Sequence, residues 1–138
     1  KTNEVAYTGS DIEKENRFIK IKFISNVANS APLYFEPAVT EMTVQVGKPY
    51  NTHYVMKNNS TKQLHTTASP SVTPGKFAEY FKKIECFCFN QQTIDSGEVK
   101  DLGIQFVVDN DLPTNIGDIV LSYTMFDITN KVVEADKL

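Results

Sequence analysis

Tryptophan is absent from this chain of 138 residues, and cysteine and histidine occur only twice each. The cysteines, Cys86 and Cys88, stand one residue apart. A disulfide framework needs cysteines distant in sequence that close loops, so this is not a disulfide-stapled scaffold. The lack of tryptophan and of a widely spaced cysteine pair also excludes an antibody-type domain. No run approaches the roughly 18 apolar residues of a membrane-crossing helix. No charged start followed by an apolar block marks a signal peptide. No glycine-rich loop matches a phosphate cradle. Basic residues are not in excess: 14 Lys and Arg stand against 17 Asp and Glu, a net charge of −3, which argues against a nucleic-acid binder.

What is there is ordinary for a single globular domain, with 41% hydrophobic and 22% charged residues, so disorder over the whole chain is excluded. The chain opens at Lys1 rather than Met, which is expected of a fragment or a mature form. Charge is unevenly spread: residues 48–83 net +5, residues 84–138 net −7, and residues 1–47 net −1. That pattern fits either a solvated surface or a docking face with a basic side.

Hydrophobic periodicity points to strands. From Arg17 onward Ile19, Ile21 and Phe23 alternate with Phe18, Lys20 and Lys22. Met42, Val44 and Val46 alternate with Glu41, Thr43 and Gln45, and Tyr50, Thr52, Tyr54 and Met56 share one face of the next strand. Residues 62–69, Val99–Val108 and Ile119–Ile128 read as further strands, and 26–37 as a loop carrying Leu33, Tyr34 and Phe35. Asn58 to Thr61 and Asp109 to Pro113 read as turns. Thr73-Pro74-Gly75 introduces one short helix, with Phe77, Tyr80, Phe81 and Ile84 on its apolar face. The expected fold is all-β: an immunoglobulin-like β-sandwich of about seven strands with one short helix. Residues 1–15 are expected to be a flexible leader, 16–130 the sandwich, and 131–138 a C-terminal tail.

No catalytic set emerges, because His53 and His65 lie in strand-like segments with no nucleophile beside them in sequence. The chemistry rests on Cys86 and Cys88. In an extended strand, residues i and i+2 face the same way, with Phe87 and Phe89 on the other side. Two thiolates side by side suit a soft metal. Structural zinc and iron–sulfur clusters want four ligands, whereas Cu(I) accepts two sulfurs. A disulfide across the pair would span roughly 7 Å between Cα atoms, a strained and reducible bridge. On spacing alone three readings stay open: a metal pair, a redox-active pair, and two plain buried cysteines. Lys82 and Lys83 just upstream would lower the thiol pKa and favour metal binding.

The segment Phe81-Lys82-Lys83-Ile84-Glu85-Cys86-Phe87-Cys88-Phe89, followed by Gln91 and Gln92, resembles the signature of the CtaG family of cytochrome c oxidase assembly proteins. Pro74, Asn58 and the run from Leu121 to Phe126 are similar to the family as well, and the similarity covers roughly residues 16–128. The resemblance implies an immunoglobulin-like sandwich that binds Cu(I) through Cys86 and Cys88. It implies delivery of copper to the haem–copper centre of cytochrome c oxidase subunit I, and a copper-dependent homodimer joined through the cysteines. It further implies an inner-membrane protein with a single N-terminal transmembrane anchor. The domain would face the periplasm or the mitochondrial intermembrane space. The family's anchor, and a further cysteine just after it, do not occur in these residues. Met125 stands where an aromatic is common in the family; its thioether is an auxiliary copper ligand or a core packer.

The expectation is therefore a copper chaperone rather than an enzyme, with Lys76, Lys82 and Lys83 as a partner-docking rim. Residues 76 and 83, seven apart, would share one face of the helix. The alternative is a thiol–disulfide oxidoreductase using the same Cys-Phe-Cys pair.

Overall fold

The computed structural model describes residues 17–86, 91–113 and 118–130, with the backbone alone over 82–86. The expected leader and tail, and Cys88 with its flanking phenylalanines, lie outside the described residues. Nine strands are described: β1 (Phe18–Val27), β2 (Leu33–Pro37), β3 (Glu41–Gln45), β4 (Pro49–Asn58), β5 (Leu64–Thr73), β6 (Phe81–Cys86), β7 (Gln92–Ile94), β8 (Val99–Val108) and β9 (Ile119–Asp127). They form a five-stranded sheet in the order β3-β1-β9-β5-β7 and a four-stranded sheet in the order β2-β4-β8-β6. The all-β sandwich expected from the periodicity is the fold.

The long strands bury one face, as in β1, where Ile19, Ile21 and Phe23 are buried and Phe18, Lys20, Lys22 and Ile24 are exposed, and in β9, where Ile119, Leu121, Tyr123 and Met125 are buried. The two inner faces meet through aromatic rings, which bury large area and favour edge-on contacts. Phe23 meets Phe106 at 6.1 Å, and Tyr54 meets Tyr123 edge-on at 5.2 Å. The Tyr54 hydroxyl donates across the core to the Ile24 carbonyl at 3.0 Å, so the ring is both apolar filler and inter-sheet tie. Burial, and then the neighbouring Tyr123, push the Tyr54 pKa up, against the opposing effect of the Ile24 bond. Burial alone pushes Tyr123 up to about 12.

Along the chain, β1 to β9 lie alternately in the five-stranded and the four-stranded sheet, so every connection crosses between sheets and no two consecutive strands pair. Among the described residues the ladders are antiparallel except β1 with β9, which is parallel. Among the described strands, two connections join an edge strand to an edge strand: β2 to β3, and β6 to β7.

Four details differ from the sequence reading. The 26–37 segment is not all loop: Leu33 and Phe35 are buried and pair with β4 as β2. Pro37 is accommodated because β2 is an edge strand. The three-residue strand β7 was not expected either, and with β2 it raises the count from about seven to the nine described. The short helix is a six-residue 3-10 helix, Gly75–Tyr80, with Pro74 at its N-cap and no side-chain cap from Thr73. It ends because Phe81 and Lys82 enter the ladder opposite Val108 and Val107. Lys82 and Lys83 therefore stand on β6, and the shared helical face of residues 76 and 83 does not exist.

Candidate metal centre

The cysteine segment leaves from an edge. β6 pairs on one side with β8, the third strand of the four-stranded sheet. Phe81 faces Val108 and Lys82 faces Val107, whereas Glu85 faces Gln105 and Cys86 faces Ile104. Between Lys82 and Glu85 the strand advances three residues while β8 advances two, which is a β-bulge. Without that extra residue Cys86 would stand opposite Gly103. A one-residue slip exchanges the two faces of a strand, so the bulge sets the register at which the first cysteine leaves the sheet. The row is Thr52 on β4, Ile104 on β8 and Cys86 on β6. A shallow open groove over β4 and β8, lined by Asn51, Thr52, Gly103, Ile104 and Gln105, lies beside this row.

The segment arrives on the other sheet. Gln91 is the next described residue, and β7 begins at Gln92, paired with β5 through Thr66↔Gln92, His65↔Thr93 and Leu64↔Ile94. Residues 87–91 therefore carry the chain from the β6 edge to the β7 edge, and Cys88 belongs to this stretch. The first cysteine closes β6; the expectation that the Cys-Phe-Cys motif is one extended strand falls on residues 87 and 88, outside the described residues.

Two buried polar side chains hold β7. The Thr66 hydroxyl donates to the Gln92 carbonyl at 3.2 Å. The Asn58 amide donates to Lys62 O at 2.7 Å and Ile94 O at 3.0 Å, and its oxygen accepts from the Ser60 N–H and hydroxyl at 2.8 and 2.6 Å. These four bonds use the full capacity of an amide. Both side chains are fully buried. Asn58 was expected in a turn for its composition; it closes β4, and only the family resemblance had marked it. Nothing in the sequence distinguished Thr66.

The other named residues are placed as follows. Lys76 is exposed in the 3-10 helix, its Nζ 5.2 Å from the Phe77 ring centre. Met125 is fully buried on β9 between Val27 and Ala68, in the five-stranded sheet, where it packs the core. His53 stands on β4 opposite Gly103, and His65 on β5 with Nδ1 3.2 Å from the Thr93 hydroxyl, so the two histidines lie in different sheets. Among the described residues no three His, Cys, Asp or Glu side chains cluster as metal ligands. Asp109 accepts from the Asp111 N–H at 2.9 Å, as a turn former does.

Comparison with known proteins matches residues 1–127 to the family model "Cytochrome c oxidase assembly protein CtaG/Cox11". The chain is 33% identical over 132 residues to the cytochrome c oxidase assembly protein CtaG of Bradyrhizobium sp. (strain ORS 278), covering 92% of this chain and 60% of that protein. It is 36% identical over 118 residues to the CtaG of Brucella ovis (strain ATCC 25840 / 63/290 / NCTC 10512), covering 82% and 59%. It is 38% identical over 120 residues to the mitochondrial cytochrome c oxidase assembly protein COX11 of Saccharomyces cerevisiae (strain ATCC 204508 / S288c), covering 83% and 40%. The chain thus spans about 60% of the length of the bacterial relatives and less of the yeast one.

Proposed function

Because the chain belongs to the CtaG/Cox11 family of cytochrome c oxidase assembly proteins, we propose that it is the copper-carrying domain of such a protein. Cu(I) is its cargo, taken up by Cys86 and Cys88 and handed to the haem–copper centre of oxidase subunit I. The observation that supports this reading is the pair of cysteines one residue apart, the first of them at the end of β6, an edge strand, opposite Ile104. Two soft thiolates one residue apart satisfy Cu(I) and leave zinc short of its four ligands. Such a two-coordinate ion is open to attack by an incoming thiolate, which is what transfer without release requires.

A second chain adds its own thiolates to this open ion, so the loaded domain is a thiolate-bridged dimer. In the intact protein the domain works beside the inner membrane from a single N-terminal anchor, on its periplasmic or intermembrane-space side. Lys76, Lys82 and Lys83 flank the junction of the 3-10 helix with β6 and form a basic rim for an acidic oxidase surface.

Anaerobic reconstitution with Cu(I) tests the reading. One copper per chain is expected, with a doubling of mass under reducing conditions. Cys86→Ser and Cys88→Ser should each abolish tight binding and leave the fold intact. Full copper retention by either variant refutes the two-cysteine site, and unchanged mass at full loading refutes the dimer. A chain that takes up no copper but exchanges disulfides points to the oxidoreductase instead.

A further inference from the structure

We infer that Thr66 and Asn58 are positioning residues for the copper site: together they fix the sheet edge onto which the cysteine segment lands. The inference rests on the copper reading above and concerns how the two ligands are held.

β7 is three residues long and is an edge strand whose ladder is with β5 alone. So short an edge ladder opens easily by itself. Its Gln92 and Ile94 carbonyls are each met by a fully buried side chain, Thr66 and Asn58. The Asn58 bond to Ile94 O is buried and the Thr66 bond to Gln92 O part-buried, and a hydrogen bond out of water is costly to break because the orphaned carbonyl regains no full water shell.

The two side chains come from different sheets. Thr66 is on β5, the neighbour of β7, whereas Asn58 ends β4, which lies in the same sheet as β6. Asn58 therefore ties the landing edge to the sheet from which the segment departs. Cys86 is fixed at the departure edge by its place opposite Ile104. The chain that bears the cysteines thus starts and ends on held strands, and fixing the two ends of a binding segment lowers the entropic cost of taking up a ligand. Partners that orient ligands without touching the metal commonly change affinity by about 10–100-fold when removed.

Thr66→Val keeps the shape and removes the donor; Thr66→Ser keeps the donor. Asn58→Asp keeps the acceptor for Ser60 but cannot donate to Ile94. Ile119→Val, in the core of β9, serves as a control for general loss of stability. Each variant is titrated with Cu(I) against a competing Cu(I) chelator without oxygen, and amide hydrogen exchange is read at residues 92–94. Thr66→Val and Asn58→Asp should bind copper about tenfold more weakly and exchange faster at 92–94. Thr66→Ser and Ile119→Val should match the wild type in both. Wild-type affinity in Thr66→Val, or an equal loss in Ile119→Val, overturns the inference. A wild type that holds no Cu(I) overturns the copper reading instead, and exchange at 92–94 still decides whether the two side chains fix β7.

Discussion

The chain passes from edge strand to edge strand twice, and the two passages are secured differently. Between β2 and β3 the main chain closes the crossing: the Ala38 N–H donates to His53 O and the Phe23 N–H to Thr40 O, both at 2.9 Å. Beyond the β6–β7 crossing the landing strand is held by side chains, Thr66 on Gln92 and Asn58 on Ile94. A main-chain closure is insensitive to which residues occupy it. A side-chain closure depends on two particular residues, so its geometry can be set and altered by substitution. Among the described residues, the strand on which the cysteine passage lands is the one that side chains brace in addition to its ladder with β5.

The largest effect should come from removing what both crossings share. Phe106 is fully buried, with its ring 6.1 Å from Phe23 near the first crossing and 5.9 Å from Phe81 at the start of β6. Phe106→Ala should cost about 3–5 kcal/mol and lower the urea midpoint sharply, with copper affinity falling alongside. Wild-type copper affinity in a destabilised Phe106→Ala chain would show that the cysteine crossing does not lean on the core.

Gly47 offers a break outside the cysteine edge. It follows β3 at φ +82, and a Cβ there would lie 2.4 Å from Asn110 Oδ1. Gly47→Ala should cost roughly 1–3 kcal/mol in thermal or urea unfolding and leave copper stoichiometry at the wild-type value. Copper loss matching the stability loss would mean the two regions are not separable.

A third test uses pH on the core between them. Tyr123 ionises in the folded chain at about 12 against 10.0 for a free tyrosine, and Tyr54 is raised as well, both chiefly by burial. Folded pKa values above the unfolded ones mean stability that is present in full below pH 10 and lost as pH rises toward and through 12. Each tyrosine should remove about 1.4 kcal/mol per pH unit in that window. Tyr54→Phe should cost about 1 kcal/mol at neutral pH through the lost bond to Ile24 and flatten the alkaline decline. An equally steep decline in that variant would remove Tyr54 as a cause.

The long strands were legible because each has one buried face; Val99–Val108 keeps the bounds its alternation gave. β2 was obscured by its shortness and by Pro37, which only an edge position admits. β7 was obscured because three residues carry no period, and its anchors come from β4 and β5, far away in sequence. The 3-10 helix shows pattern overruled by pairing: the apolar spacing from Phe77 to Ile84 suggested a longer helix, but the β8 ladder claims Phe81 onward. At the site, Cys86 and Cys88 stood out by spacing and resemblance. The bulge that sets the register of Cys86 depends on its partner strand, and no local pattern reports it.

The smallest effect on the isolated domain should come from the lysines around the junction of the 3-10 helix with β6. Lys76 is exposed, and its contact with the Phe77 ring at 5.2 Å is worth about 0.5–1 kcal/mol at such a site. Replacing Lys76, Lys82 and Lys83 with Glu should leave the copper stoichiometry at one per chain and shift the unfolding midpoint only slightly. Rim charges act chiefly on the rate of association with a charged partner, and salt screens them over about 8–10 Å. Transfer to an acidic partner should therefore slow in the triple variant at low salt and lose most of that difference at high salt. In cells the same variant should impair oxidase maturation while the domain still loads copper. Normal oxidase activity in the triple variant would reject the docking rim, and the copper site would stand without it.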